Sequence, residues 1–151
     1  MKVGPLDKNG LDLLFTFKKD VKKDGLDKQN VKSSNIQSTF RAAMEKALAP
    51  DKERVFQTPM ASCLDHMLEK YFRDMSKKLT IIVLTTGEWE DASEVVEKII
   101  AKHFTAMRQR RHDFERERLC TIQFVAFGEK DSALARLCDL DEKMSTKYGI
   151  P

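Results

Sequence analysis

The residues best suited to chemistry lie at one corner of the chain. "LTIIVLTTGEWED" (79–91) is an apolar, β-branched run that stops at Thr85-Thr86-Gly87 and then turns acidic. Thr85 and Thr86 offer hydroxyls, Gly87 lets the backbone approach closely, and Glu88 and Glu90 supply carboxylates. Such oxygen donors suit a hard cation such as magnesium, which also wants at least one fixed carboxylate. The same acids could serve a small α/β enzyme, with Glu88 or Glu90 as general acid or base. The plainer reading is a tight strand-to-helix turn carrying solvated acids.

Other chemistries lack their parts. Neither G-x-G-x-x-G nor G-x-x-x-x-G-K-[ST] occurs, so no nucleotide cradle is expected. There is no G-x-S-x-G elbow, and His66, His103 and His112 all fall in helical segments. His66 belongs to a polar helix side, and His103 adjoins an apolar stripe as a packed residue. Cys63, Cys120 and Cys138 are widely spaced, with no pair at zinc-binding separation, and read as reduced thiols. "MRQRRHDFERER" (107–118) sets five Arg against one Asp and two Glu. It reads either as a basic patch for an acidic partner or as a solvated helix end complementing its own dipole.

These residues need elements to position them. With 151 residues the chain fits one domain, 1–151. Apolar residues make up 41%, charged residues 34%, and the formal charge is +3, too small to argue for nucleic acid. No apolar stretch approaches the roughly 20 residues of a membrane span. "MKVGPLDKNG" lacks a signal-peptide core, so an intracellular, cytoplasmic location is expected.

Leu11 to Phe17 is a strand candidate. Lys18 to Lys32, with six Lys and three Asp, reads as an exposed loop or ragged hairpin. Ser34 and Gln37 have capping-box spacing ahead of a helix through Ile36, Phe40, Ala43, Met44, Ala47 and Leu48, which Pro50 ends. Thr58 suits a helix cap and Pro59 the first helical position, with Met60, Leu64, Met67, Leu68, Tyr71, Phe72 and Met75 forming the apolar stripe.

Leu79 to Thr85 does not alternate with polar residues, so it is expected to be buried on both faces, as parallel sheets require. Asp91 suits the cap of the next helix, whose stripe is Val95, Val96, Ile99, Ile100, Phe104 and Met107. Leu119 to Gly128 is a second apolar strand. A short last helix follows, carrying Leu134, Leu137 and Cys138. Strands alternating with helices predict a Rossmann-like α/β layered fold: a mostly parallel sheet of about three strands, flanked by helices. Ligands in such sheets gather at strand carboxyl ends, here Thr16–Lys18, Thr85–Glu90 and Gly128–Asp131.

From "KLTIIVLTTGEWED" outward the chain resembles the von Willebrand factor type A fold, in its fungal intracellular branch. "NGLDLLFTF", "FQTPMASCLDHMLEKYF", "LTIIVLTTGEWE", "TIQFVAFGEKDSALARLCDLDE" and the closing "KYGIP" follow that order over nearly the whole chain. Such domains typically hold a divalent cation with Asp-x-Ser-x-Ser, a Thr before a helix, and an Asp-Gly corner. Thr58 matches the second element, Thr86-Gly87 stands where Asp-Gly would be, and Asp-x-Ser-x-Ser does not occur.

The resemblance therefore implies an N-terminally truncated domain with a degenerate site at Thr58, Thr86, Gly87 and Glu88, and no metal or other cofactor. It implies a non-enzymatic protein–protein interaction role with a protein partner, without nucleic acid or membrane. The family's central first strand would be missing. Leu11–Phe17 should then pair directly with Leu79–Thr85, or the open sheet edge should self-associate. Besides the small α/β enzyme, a non-functional gene fragment is the remaining alternative.

Overall fold

The computed structural model describes residues 11–15, 27–31, 36–47, 58–113 and 117–150. The cap at Ser34, the stop at Pro50 and the strand end at Thr16–Lys18 lie outside these. The chain, read from sequence as one domain, groups into two compact units, Met1–Phe56 and Gln57–Pro151.

In the first unit, β1 (Leu11–Phe15) pairs antiparallel with β2 (Asp27–Val31), with Leu11 opposite Val31 and Phe15 opposite Asp27. Within Lys18–Lys32, read from sequence as an exposed loop or ragged hairpin, Asp27–Val31 is a strand whose partner is β1; 18–26 lie outside the described residues. A helix, α1 (Ile36–Ala47), follows, with Arg41 and Glu45 paired across one exposed turn.

The second unit contains α2 (Met60–Arg73), β3 (Leu79–Thr85), α3 (Ser93–Arg110), β4 (Cys120–Ala126) and α4 (Asp131–Tyr148). β3 and β4 run parallel in register from Leu79–Cys120 to Thr85–Ala126. Parallel neighbours need a long crossover, which α3 supplies. With four helices and this parallel pair among the described residues, the chain is mixed α/β, in keeping with a partial Rossmann-like fold.

Three sequence expectations change. The parallel sheet has two strands rather than three, because β1 takes a local partner in β2. Pairing with a strand near in sequence costs less closure entropy than pairing β1 with the distant β3. α4 is not short but runs 18 residues. Finally, β3 is not buried on both faces.

That last correction sets the layering. Leu79, Ile81 and Val83 on β3, with Cys120, Ile122 and Phe124 beside them on β4, pack into the helical core. The alternate residues face away: Ile82 is 56% exposed and Leu84 54%, and Phe127, just past β4, is 55% exposed. The strand alternation of side chains therefore separates a packed face from an open one.

The core itself follows the helical stripes. Leu64 and Leu68 of α2 meet Val96, Ile100, Phe104 and Met107 of α3, with Leu140 and Met144 of α4. The "KYGIP" ending is a helix stop: Gly149 is left-handed at φ 59°, its N–H donates to Ser145 O (3.1 Å), and Ile150 N–H donates to Met144 O (2.9 Å). Buried Ile150 completes this left-handed glycine cap with an apolar contact.

Candidate functional site at the β3 corner

Thr85, the last residue of β3, organises the corner. Its Oγ1 accepts the Gly87 N–H (2.9 Å) and the Trp89 Nε1–H (2.9 Å). Two donors occupy the two lone pairs of a hydroxyl oxygen. Gly87 is buried with φ 77°, and a Cβ there would lie 2.5 Å from Ala133 Cβ at the start of α4. Glycine is thus required twice, by its dihedral and by the approach of the helix.

Trp89 is 5% exposed and tilts against Phe124 at 5.7 Å between centroids. Arg136 of α4 lies 5.6 Å over the indole and donates to Gly87 O at 3.2 Å. Lys130 forms an ion pair with Glu88. α4 therefore grips the corner through a cation over an aromatic ring, a carbonyl and a carboxylate.

Thr58 is brought to the corner through its backbone. It forms a parallel bridge with Trp89, and its carbonyl accepts Glu90 N–H (3.0 Å) and Met60 N–H (2.8 Å). Pro59, at φ −74° and ψ 72°, is the centre of an inverse γ-turn and not the first helical residue. Thr58 is therefore not the cap of α2. Asp91 takes that role from across the fold: its Oδ2 accepts Ala61 N–H at 2.9 Å. Its charge suits the positive end of α2. Asp91 does not cap α3, whose N-cap is Ala92 with no side-chain bond.

Of the sequence-derived positions, Thr58, Gly87, Glu88 and the Glu90 backbone thus share one constellation, while the side chains of Thr86, Glu88 and Glu90 are exposed. Trp89 and Lys130 fall within the strand ends Thr85–Glu90 and Gly128–Asp131 without a role of their own in the sequence, and Arg136 lies outside both. Thr85 two residues before Gly87 is a hydroxyl-turn signal that could have disclosed the hub. As a cation cage the corner fits poorly, with Thr85 Oγ1 saturated by donors and Glu88 held by Lys130. Among the described residues, no group of three or more His, Cys, Asp or Glu side chains converges as ligands.

Elsewhere, charged groups act as ties. Arg108 donates to Gly149 O (2.6 Å) and Tyr148 O (3.3 Å), at the end of α4. Arg110 donates to Phe72 O at the end of α2, and Arg111 to Met75 O (3.2 Å) just beyond it. These arginines of the basic stretch serve carbonyls at or near the ends of neighbouring helices, and Arg108 and Arg110 do so from the last turn of α3, where their charge also suits the helix's own dipole.

His103 is 6% exposed and its Nε2 lies 2.7 Å from Asp65 Oδ1, which also takes Lys102 Nζ at 3.2 Å. Burial pushes the Asp65 carboxyl up, but the hydrogen bonds from His103 and Lys102 outweigh it and hold the group below the usual carboxylate range. A ring so covered joins α2 to α3. Glu97, 1% exposed on α3, is compensated by Lys143 (3.4 Å) and Lys147 (3.8 Å) of α4. Burial pushes the Cys63 and Cys120 thiols up to about 12, with the Asp91 charge adding to the effect at Cys63. Neither is an activated nucleophile.

Comparison of the chain with protein-family models, with curated proteins and with solved structures gives no match.

Proposed function

We propose that this chain is a non-enzymatic protein–protein interaction domain, of von Willebrand factor A type, that works without a bound divalent cation. The observation carrying this reading is the open face of the β3–β4 sheet, where Ile82, Leu84 and Phe127 each stand more than half exposed. Large apolar side chains gathered in the open on one sheet face are the kind of feature that marks an interaction surface. The corner supports the reading from the other side, because its hydroxyl hub is spent on the corner's own Gly87 and Trp89, and Glu88 on Lys130 just ahead of α4.

An intracellular setting accords with three unpaired cysteines. No described helix is long and apolar enough to cross a membrane. The enzymatic alternative asks for Glu88 or Glu90 in a desolvated hollow, and both are exposed.

Two measurements test the reading. Photo-crosslinkers placed at Ile82 and Phe127 should trap a discrete protein, while one at exposed Lys98 on α3 should not; equal capture from all three, or none, sinks it. Calorimetric titration with magnesium should give no heat above dilution. Tight binding that is lost in Thr58→Ala would overturn the metal-free part.

A further inference from the structure

Among the described residues, Glu97 is the one acid buried outright, on the side of α3 that meets α4. Neither of its oxygens accepts a well-formed hydrogen bond. Its compensation reaches in from α4: Lys143 Nζ lies 3.4 Å from Oε1 and Lys147 Nζ 3.8 Å from Oε2. Lys143 Nζ is closer to Asp139 of its own helix, at 2.7 Å. Both lysines stand partly in solvent, with side chains 39% and 56% exposed.

Taking a carboxylate out of water is costly, and an ion pair offsets that cost only at close, hydrogen-bonded geometry. Here both contacts are long, and one ammonium is shared with a second acid. Docked α4 therefore holds Glu97 where an apolar side chain of similar length would sit better. Without the two lysines the charge would be buried alone, which is worse still.

α4 has little else to hold it. It and α3 are each 18 residues long, yet α3 buries seven residues and α4 only Ala133, Leu140 and Met144. The other ties are polar and near the surface: Arg136 on Gly87 O, Lys130 with Glu88, and Arg108 on the Tyr148 and Gly149 carbonyls. Such groups exchange their partners for water at small net loss. The turn into α4 runs through Gly128, whose φ is 97° and whose missing Cβ would meet no atom. The backbone can pivot there.

We propose that α4 is a charge-latched strap: it lifts from α3 as one segment while α2, α3, β3 and β4 stay folded, and Glu97 with Lys143 and Lys147 sets how often. Lifting bares Glu97 together with Ile100 and Ala101, which follow it on the same side of α3 and are buried. It also takes Arg136 off the Trp89 ring. The surface so uncovered is separate from the open sheet face, so the proposal does not rest on the interaction reading. The input the strap answers to is the charge at the two lysines.

Native-state hydrogen exchange of the full chain, in urea below the unfolding transition, reads the opening. Amides at 137–146 of α4 should exchange faster than those at 99–107 of α3 and with a smaller dependence on urea. Lys143→Met with Lys147→Met should speed α4 exchange by about tenfold or more, and Glu97→Met should slow it by about tenfold. In the Glu97→Met background the same lysine changes should matter by no more than about twofold, the scale of a surface pair such as Lys143 with Asp139. Lys98→Met, at an exposed position of α3, should leave α4 exchange as it is.

α3 and α4 amides exchanging at one rate with one urea dependence overturn the proposal, because the helix then leaves only with the whole unit. Unchanged or faster α4 exchange in Glu97→Met overturns it as well, as does a lysine effect of equal size in both backgrounds. Should the double lysine variant not fold, Lys147→Met alone is read by the same criteria, and the comparison of α3 with α4 in the unaltered chain decides independently.

Discussion

Gly87 shows how much one position at the corner is asked to do. Its φ of 77° suits glycine alone, and the place a side chain would occupy is filled by Ala133, whose Cα is 3.0 Å and Cβ 2.5 Å away. Ala133 sits in the first turn of α4 and has no flexible end to withdraw. Gly87→Ala should therefore cost about 2–4 kcal/mol, combining dihedral strain with overpacking. Gly128 is the internal comparison: its φ is 97° but no atom lies near its missing Cβ. Gly128→Ala should cost only about 1 kcal/mol. Urea unfolding of both variants separates strain from collision, and equal losses would show that contact with α4 is unimportant.

This position also marks a boundary of what sequence conveys. The Thr-Thr-Gly corner was legible because a β-branched run ending in glycine has few alternatives. Its bonding was not, since Thr85 reaches Trp89 only once Gly87 has turned left-handed, and Arg136 arrives from a helix 49 residues further on. Asp91 illustrates the same limit. Local rules give it to the helix that follows it, whereas the fold delivers it to the start of α2, 30 residues back.

At the scale of elements, the apolar stripes mark the packed sides at their centres but not at their edges: Val95 of α3 and Leu134 of α4, both assigned to stripes from spacing, stand 44% exposed, and Cys138 is exposed too. Leu64, Leu68, Val96, Ile100, Phe104 and Met107, assigned to the inner sides of two helices from spacing alone, are all buried. Periodicity reports which side of a helix is apolar, and burial of that side is what drives packing. It does not report which polar contacts fix the helices against one another. The Asp65–His103 bond between α2 and α3 is such a contact, and it carries a pH signature. The folded Asp65 carboxyl titrates below its unfolded value of about 3.9. Its stabilisation is thus complete above that pH and is lost as pH falls through the folded pKa. Asp65→Asn should lose about 1–2 kcal/mol at neutral pH, for a partly covered charged hydrogen bond. Thermal melts between neutral and strongly acidic pH should show the gap to wild type closing in acid. A gap that is constant with pH would mean the carboxylate charge is irrelevant to this joint.

For the whole second unit, helices pack on one side of a two-stranded sheet and the other side stays open. The apolar run in β3 could not disclose this, because such a run looks alike with one covered face or two. Exposed apolar area responds to solutes that are excluded from protein surfaces. Replacing Ile82 and Leu84 together by threonine should keep the strand, given the β propensity of threonine. It should also raise the ammonium sulfate concentration needed to precipitate the chain. Precipitation at an unchanged concentration would indicate that the face is already covered.

The Asp91 bond to Ala61 has a further consequence, in the order of events. The first turn of α2 has no cap of its own, since Pro59 sits in a γ-turn and offers no side-chain oxygen. Until β3 forms and swings Asp91 into place, the Ala61 amide faces water. Hydrogen exchange should therefore find Ala61 and the amide of Gly87 opening together, as one cooperative unit that joins distant stretches of chain. The corner then acts as a clasp whose closing sets when α2 becomes protected.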